Sequence, residues 1–273
     1  DAKVLILECT FVDEQHRFGV RQRDAILAVD DKGRWPHTLH MSATPIPRTL
    51  SLTLYGDLDI SVLDEMPSGR QPVVTRLVFG GSEAEMWEFV REQLRSGRQA
   101  YVICPLVEES ENLQTASARQ MHADLQGGEL ADFELCLLHG QLSPAEKASA
   151  MNAYAQGEAQ VLVSTSVIEV GIDVPNASVM VILGARRFGL SQLHQLRGRV
   201  GRGANRSYCL LLVEEEEESV LDRMALFART SDGFELAEAD LLARGEGQLF
   251  GERQSGVGDL EIASLLRDRK LLE

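Results

Sequence analysis

Short runs rich in Val, Ile and Leu recur along most of this chain, and each is followed by a stretch with helical spacing. The runs are Val4–Val12, Thr38–Met41, Val73–Phe79, Ala100–Cys104, Leu135–Leu138, Val161–Ser164, Val179–Leu183 and Tyr208–Val213. Several lack the polar–apolar alternation of a half-exposed strand, the pattern of strands buried on both faces. Between them, Ser82–Ser96 begins with Ser82 and Glu85 at capping-box spacing, and Ser143–Ala155 begins with Ser143, Pro144 and Glu146. Gly97 and Gly157 sit where those helices should stop. Strands that alternate with helices predict an α/β fold around a parallel sheet, and ligands of such sheets gather beyond the carboxyl ends of the strands.

Two breaks divide the pattern. Met66-Pro67-Ser68-Gly69-Arg70-Gln71-Pro72 has linker composition, and beyond Val213 the strand signal ends. Three pieces are expected: 1–66, a partial α/β domain; 67–213, a complete α/β domain with its own core; and 214–273, a helical tail with the glycine-rich loop Arg244–Gly258. With 273 residues the chain is long enough for that. The run Glu214–Glu218 reads as a solvated helix start, where carboxylates suit the positive dipole end.

The net charge of −15 excludes a simple nucleic-acid coat, since phosphate binding needs concentrated Lys and Arg. The basic residues are instead local: six arginines lie from Arg186 to Arg206. No run approaches the roughly 18 apolar residues of a membrane span, so no membrane partner is expected. The start lacks the features of a signal peptide. Cys9, Cys104, Cys136 and Cys209 form no C-x-x-C pair and read as free thiols, which fits a cytoplasmic protein. Glu8-Cys9-Thr10 interrupts the first apolar run and makes the packing of the start unusual.

Asp13-Glu14-Gln15-His16 directly follows that run. Two carboxylates at a strand's end can divide the work of nucleotide hydrolysis, one holding Mg²⁺ and one orienting the attacking water. Alone, the four residues are as readily a polar turn. Ser42-Ala43-Thr44-Pro45 follows the second run; its hydroxyls can reach carboxylates on a neighbouring strand, or close a turn before a proline. In Gln195-Leu196-Arg197-Gly198-Arg199-Val200-Gly201-Arg202, Arg199 and Arg202 would share one face of a helix. Two guanidiniums there suit a transferring phosphate. A plain solvated helix fits less well, because two exposed helical glycines would each cost about 1 kcal/mol. His37 and His40 lack a metal-ligand set, His122 is expected on the solvent face of a helix, and His194 is expected to line a cleft with the arginines.

Together, and in this order, the segments resemble superfamily 2 helicases. Asp13–His16 resembles the Walker B box, Ser42-Ala43-Thr44 the S-A-T motif, Ser164–Pro175 the fifth motif, and Gln195–Arg202 the sixth, arginine-finger motif. Asp13–Val20, Ala43–Thr49, Phe188–Arg202 and Leu241–Gly256 resemble the branch that holds RecG and the coupling factor Mfd. Gln15, Pro144–Lys147 after His139-Gly140, and Val170 with Pro175–Ala177 lean toward RecG.

The resemblance implies a RecA-like parallel-sheet fold with a complete second lobe, a partial first lobe and a helical C-terminal tail. It implies ATP and Mg²⁺, with Asp13 on the metal and Glu14 on the attacking water. His16, Ser42 and Thr44 would couple nucleotide state to movement. Asp173, with Gly171 beside it, would approach the nucleotide, Gln195 would align the cleft, and Arg199 and Arg202 would reach the γ-phosphate. Thr165, Ser166, Glu169 and His139 lie where the family meets DNA. Arg244 and Gln254 belong to a tail that resembles the translocation motif. The implied substrate is branched double-stranded DNA. The chain contains no G-x-x-x-x-G-K-[ST]. In the family that phosphate loop and the wedge domain precede the acidic box, so the chain is expected to hydrolyse ATP only together with those segments. The competing readings are the motor of a transcription-repair coupling factor and a non-catalytic DNA- or partner-binding module.

Overall fold

A computed structural model describes residues 9–13, 37–42, 59–63, 70–105, 111–165, 174–214 and 217–244. The chain divides into two compact units, Asp1–Pro45 and Ile46–Glu273.

In the first unit, β1 (Cys9–Asp13) and β2 (His37–Met41) run parallel, with Cys9 opposite His37 and Asp13 opposite Met41. Cys9 and Thr10, read from sequence as an interruption, are part of the strand: pairing with β2 outweighs their weak apolar signal. Val12 is buried, whereas Leu39 and Met41 on β2 are 47% and 41% exposed.

The second unit is built on a six-stranded parallel sheet. Its elements are β3 (Val74–Phe79), α1 (Glu83–Arg95), β4 (Gln99–Ile103), α2 (Glu111–Gly127), β5 (Leu135–Leu138), α3 (Pro144–Ala155), β6 (Val161–Ser164), β7 (Ala177–Ile182), α4 (Leu190–Arg197), β8 (Tyr208–Val213), α5 (Glu218–Arg229) and α6 (Gly233–Arg244). The strand order is β3-β8-β7-β4-β6-β5. β4, β6 and β7 are buried at every position, the polar Gln99, Ser164 and Ser178 included, as their largely apolar runs predict.

Residues alternate between two cores. Tyr101, Ile103, Leu162, Met180 and Ile182 face α3, α4, α5 and α6, while Ala100, Val102, Val163 and Val181 face α1 and α2. The result is a three-layer sandwich. Met224, Phe227 and Leu236 of the tail helices lie in the same core as Leu190, Leu193 and Leu196 of α4.

The helix starts differ from one another for a physical reason. At α3 the full capping box forms: the Ser143 hydroxyl accepts from the Glu146 amide, and the Glu146 carboxylate accepts from the Ser143 amide at 2.8 Å. At α1 the expected Ser82 cap is absent. The Ser82 amide closes a tight turn onto the Phe79 carbonyl, which leaves Ser82 at φ −100°, ψ 13° rather than the extended conformation a capping side chain needs. Both helices stop at Gly97 and Gly157, as the sequence predicts.

Candidate functional site

The arginine segment is not one helix. α4 ends at Arg197, and Gly198 to Gly203 form a turn beyond it, so Arg199 and Arg202 do not share a helical face. Within the turn Gly201 takes φ +79°, with its Cα packed so closely on Val73 that an added Cβ would lie 2.8 Å from Cγ2. Two residues on, a Cβ at Gly203 would collide with the Pro175 carbonyl oxygen. The glycines thus serve close backbone approach. Arg202 is exposed, its Nε donating to the Gly198 carbonyl at 3.2 Å; Arg199 and Gln195 are half-buried. Arg70, just ahead of β3, donates from Nη2 to the same Gly198 carbonyl at 3.2 Å.

Arg197 has a different task. It is only 6% exposed, and its Nη1 donates to the Phe227 and Thr230 carbonyls at 3.0 and 2.9 Å. Its guanidinium lies 4.2 Å from the centroid of the Phe227 ring. These carbonyls close α5, where a cation is favoured by the helix dipole. Nη2 donates to His194 Nδ1 at 3.0 Å, which requires a neutral imidazole. Burial, and then the Arg197 charge, push the His194 pKa down to about 4. His194 is therefore a structural partner of Arg197.

The other end of α4 is held by the tail as well. Gly189, the N-cap, offers no side chain, and Asp240 of α6 supplies the acceptors: Oδ1 for the Leu190 amide at 2.9 Å and Oδ2 for the Ser191 amide at 3.1 Å. Asp240 is 7% exposed. A carboxylate on an N-terminus satisfies orphan amides and complements the dipole.

A second cluster lies at the carboxyl ends of β5 and β6, which are neighbours in the sheet. His139 is 1% exposed; Arg119 Nε donates to its Nε2 at 3.4 Å, and its Nδ1 has no partner. Burial and then Arg119 hold its pKa below the usual histidine value. Thr165, one residue past β6, is buried, and its hydroxyl also has no partner. Lys147 donates to the Gly140 carbonyl at 2.7 Å. Two unsatisfied buried polar groups beside basic side chains, where parallel sheets bind ligands, make this edge suited to an anionic ligand.

In the first unit, Asp13 closes β1 opposite Met41, and Ser42 follows one residue later. A carboxylate residue and a hydroxyl residue thus end adjacent parallel strands, a placement that fits the oxygen ligands of Mg²⁺. Arg244 closes α6. Glu14, His16, Thr44, Ser166, Glu169, Gly171, Asp173 and Gln254 lie outside the described residues.

Sequence reading missed Arg70 and Asp240. The signal for Asp240 was present: it stands among Leu236, Ala237 and Leu241 on the buried face of α6, where an acid needs a partner. Arg70 gave no signal, lying in a segment of linker composition. His122, expected in solvent, is half-buried with Nε2 3.4 Å from the Leu135 carbonyl. Cys104, Cys136 and Cys209 are free, with burial pushing each thiol pKa up to about 12. A cavity of about 310 Å³, lined in part by Trp87, Met121, Leu183 and Arg187, lies beyond the ends of β7 and β8 and does not include the arginine turn. Among the described residues no helix is long and apolar enough to cross a membrane, and no group of His, Cys, Asp or Glu forms a metal cluster.

Two family models match the chain: the helicase conserved C-terminal domain over residues 85–204, and the C-terminal part of domain 3 of the ATP-dependent DNA helicase RecG over residues 230–273. The RecG of Synechocystis is 50% identical over 261 residues, covering 96% of this chain and 31% of that protein. The RecG of Thermotoga maritima is 50% identical over 267 residues, covering 98% of this chain and 34% of that protein. A solved structure of RecG bound to a three-way DNA junction superposes with a TM-score of 0.75 at 46% identity, covering 100% of this chain and 34% of the other. The chain therefore spans about a third of the length of the relatives it matches.

Proposed function

This chain belongs to the RecG-type superfamily 2 helicases and matches their C-terminal portion, and from that premise we propose that it is the C-terminal motor segment of an ATP-dependent helicase that remodels branched double-stranded DNA. The observation that carries the proposal is the turn Gly198–Gly203. It holds Arg202 exposed and braced on a backbone carbonyl at the end of a clamped helix. A guanidinium so placed is a fixed positive charge, suited to charge that develops on a transferring phosphoryl group.

In this reading 1–66 is the C-terminal part of the first RecA-like lobe, 67–213 the second lobe, and 214–273 the hairpin and loop that pass movement to the duplex. ATP lies with its γ-phosphate toward Arg199 and Arg202, Gln195 aligns the turn, and Gly171 and Asp173 approach the nucleotide. Asp13, together with a phosphate loop from the rest of the protein, holds Mg²⁺, which would neutralise phosphate charge when bound. Glu14 acts on the water that attacks the γ-phosphate, and His16, Ser42 and Thr44 link that event to motion. His139, Thr165, Ser166 and Glu169 meet the DNA backbone; the unsatisfied groups of the two described residues support this. Arg244 and Gln254 act on DNA from the tail. The match of 230–273 to RecG favours fork and junction remodelling over the coupling-factor motor.

The test is ATP hydrolysis by the whole helicase that carries this segment, with and without a three-way or four-way junction, in wild type and Arg202→Ala. Junction-stimulated hydrolysis that falls about 10³-fold or more in the variant is expected. Absence of stimulation by junctions would sink the branched-DNA assignment, and normal hydrolysis by the variant would sink the phosphate role of the turn.

A further inference from the structure

We infer that Arg70 is a positioning residue for Arg202, a latch from the segment entering β3 onto the backbone against which Arg202 is braced; this rests on the phosphate role proposed for Arg202. Arg70 is half-buried, and its Nη2 donates to the carbonyls of Gly198 at 3.2 Å and Val200 at 3.5 Å. The Gly198 oxygen is also the acceptor for Arg202 Nε at 3.2 Å. A carbonyl has two lone pairs and can serve both donors. Arg70 therefore fixes the atom against which Arg202 is braced.

The location favours a cation. The last carbonyls of a helix lack intrahelical donors and carry the negative end of its dipole. Gly198 caps α4, its amide still bonded to the His194 carbonyl at 3.0 Å, so Arg70 binds where the helix gives way to the turn. A second contact reinforces the first three residues on. Val73 packs against Gly201, whose left-handed φ of +79° reverses the chain ahead of Arg202. The segment 70–73 thus touches the turn at its start and at its reversal. Arg70 directs Nη2 to two backbone carbonyls and keeps its buried Nε without a hydrogen-bond partner, whereas Arg202 is exposed, so Arg70 shapes the turn and Arg202 meets the phosphate.

A latch makes a prediction that a merely stabilising side chain does not. Misplacing a charge that acts in the transition state lowers kcat and leaves ground-state ATP binding nearly unchanged. The effect also disappears when that charge is already gone. The experiment is a double-mutant cycle in the whole helicase, with Arg70→Ala, Arg202→Ala and the double variant, reading kcat and ATP KM under saturating junction DNA and Tm alongside. Arg70→Ala is expected to lower kcat about tenfold to a hundredfold, the scale of an ångström-sized misplacement, with KM changed less than about threefold. The double variant should hydrolyse ATP as Arg202→Ala does, and Arg70→Lys should recover part of the loss. If Arg70→Ala lowers Tm so far that it is unfolded at the assay temperature, Arg70→Gln replaces it in the same cycle with the same expectations. Should the Arg70 variant match wild type, or should its loss multiply onto that of Arg202→Ala, the latch is refuted while the phosphate role stands. Should Arg202→Ala itself hydrolyse like wild type, the phosphate role falls and the latch falls with it.

Discussion

At the scale of single residues, the arginines of one short motif separate into different jobs, and the environment of each decides which. Arg197 is enclosed by carbonyls and the Phe227 ring, so its charge is spent inside the protein, while Arg202 stays exposed. Sequence spacing could nominate the group but could not sort it, because burial depends on where α5 ends and not on the motif. The pairing of Arg197 with His194 has a pH consequence. The folded-state pKa of His194, about 4, lies below its ordinary 6.5, so between those values the unfolded chain binds more protons. Stability is therefore full above about pH 6.5 and is lost as pH falls toward 4. His194→Gln, whose amide oxygen can still accept from Arg197, should flatten that part of the profile. Urea midpoints across the range check it; equal slopes in both proteins would show that another group carries the loss.

Among elements, α4 depends on partners far away in sequence. Asp240→Ala strips two amides of α4 of their acceptor in a buried place and should cost about 1–3 kcal/mol by urea unfolding. A loss under about 0.5 kcal/mol would mean that the cap is dispensable. Gly203→Ala forces a methyl group toward the Pro175 carbonyl and should destabilise by about 1–3 kcal/mol, with a lowered Tm as the readout. Strand positions are legible in the order of residues alone, because a buried parallel strand writes itself as an apolar run, and β5, β6 and β8 begin and end where the sequence predicts. Helix starts are legible only where the cap is local. Ser143 and Glu146 lie three apart and find each other, whereas Asp240 caps α4 across 50 residues, and the residues around Gly189 do not announce it.

For the whole molecule, the tail is part of the core it follows. The sequence predicts a core of its own for 67–213, yet Met224, Phe227 and Leu236 complete the layer that covers Tyr101, Met180 and α4. Each such side chain contributes about 1.5–3 kcal/mol, so the three together approach the entire stability of a typical domain, about 5–15 kcal/mol. Residues 70–213 made alone should unfold without a sharp transition and bind a hydrophobic dye, whereas 70–244 should unfold cooperatively; a sharp transition in the shorter piece would refute this. Sequence missed the dependence because a change from strand to helix pattern looks like a boundary even when both sides share one core. The clamp on α4 carries a mechanical consequence. A rod of two turns, about 12 Å long, is pinned at one end by Asp240 and at the other by Arg197, both tied to the same helical pair. Pinned at two points, it can shift with that pair but cannot pivot against it. A displacement of α4 is then carried to α5 and α6 at both ends of the rod rather than taken up by its rotation between them.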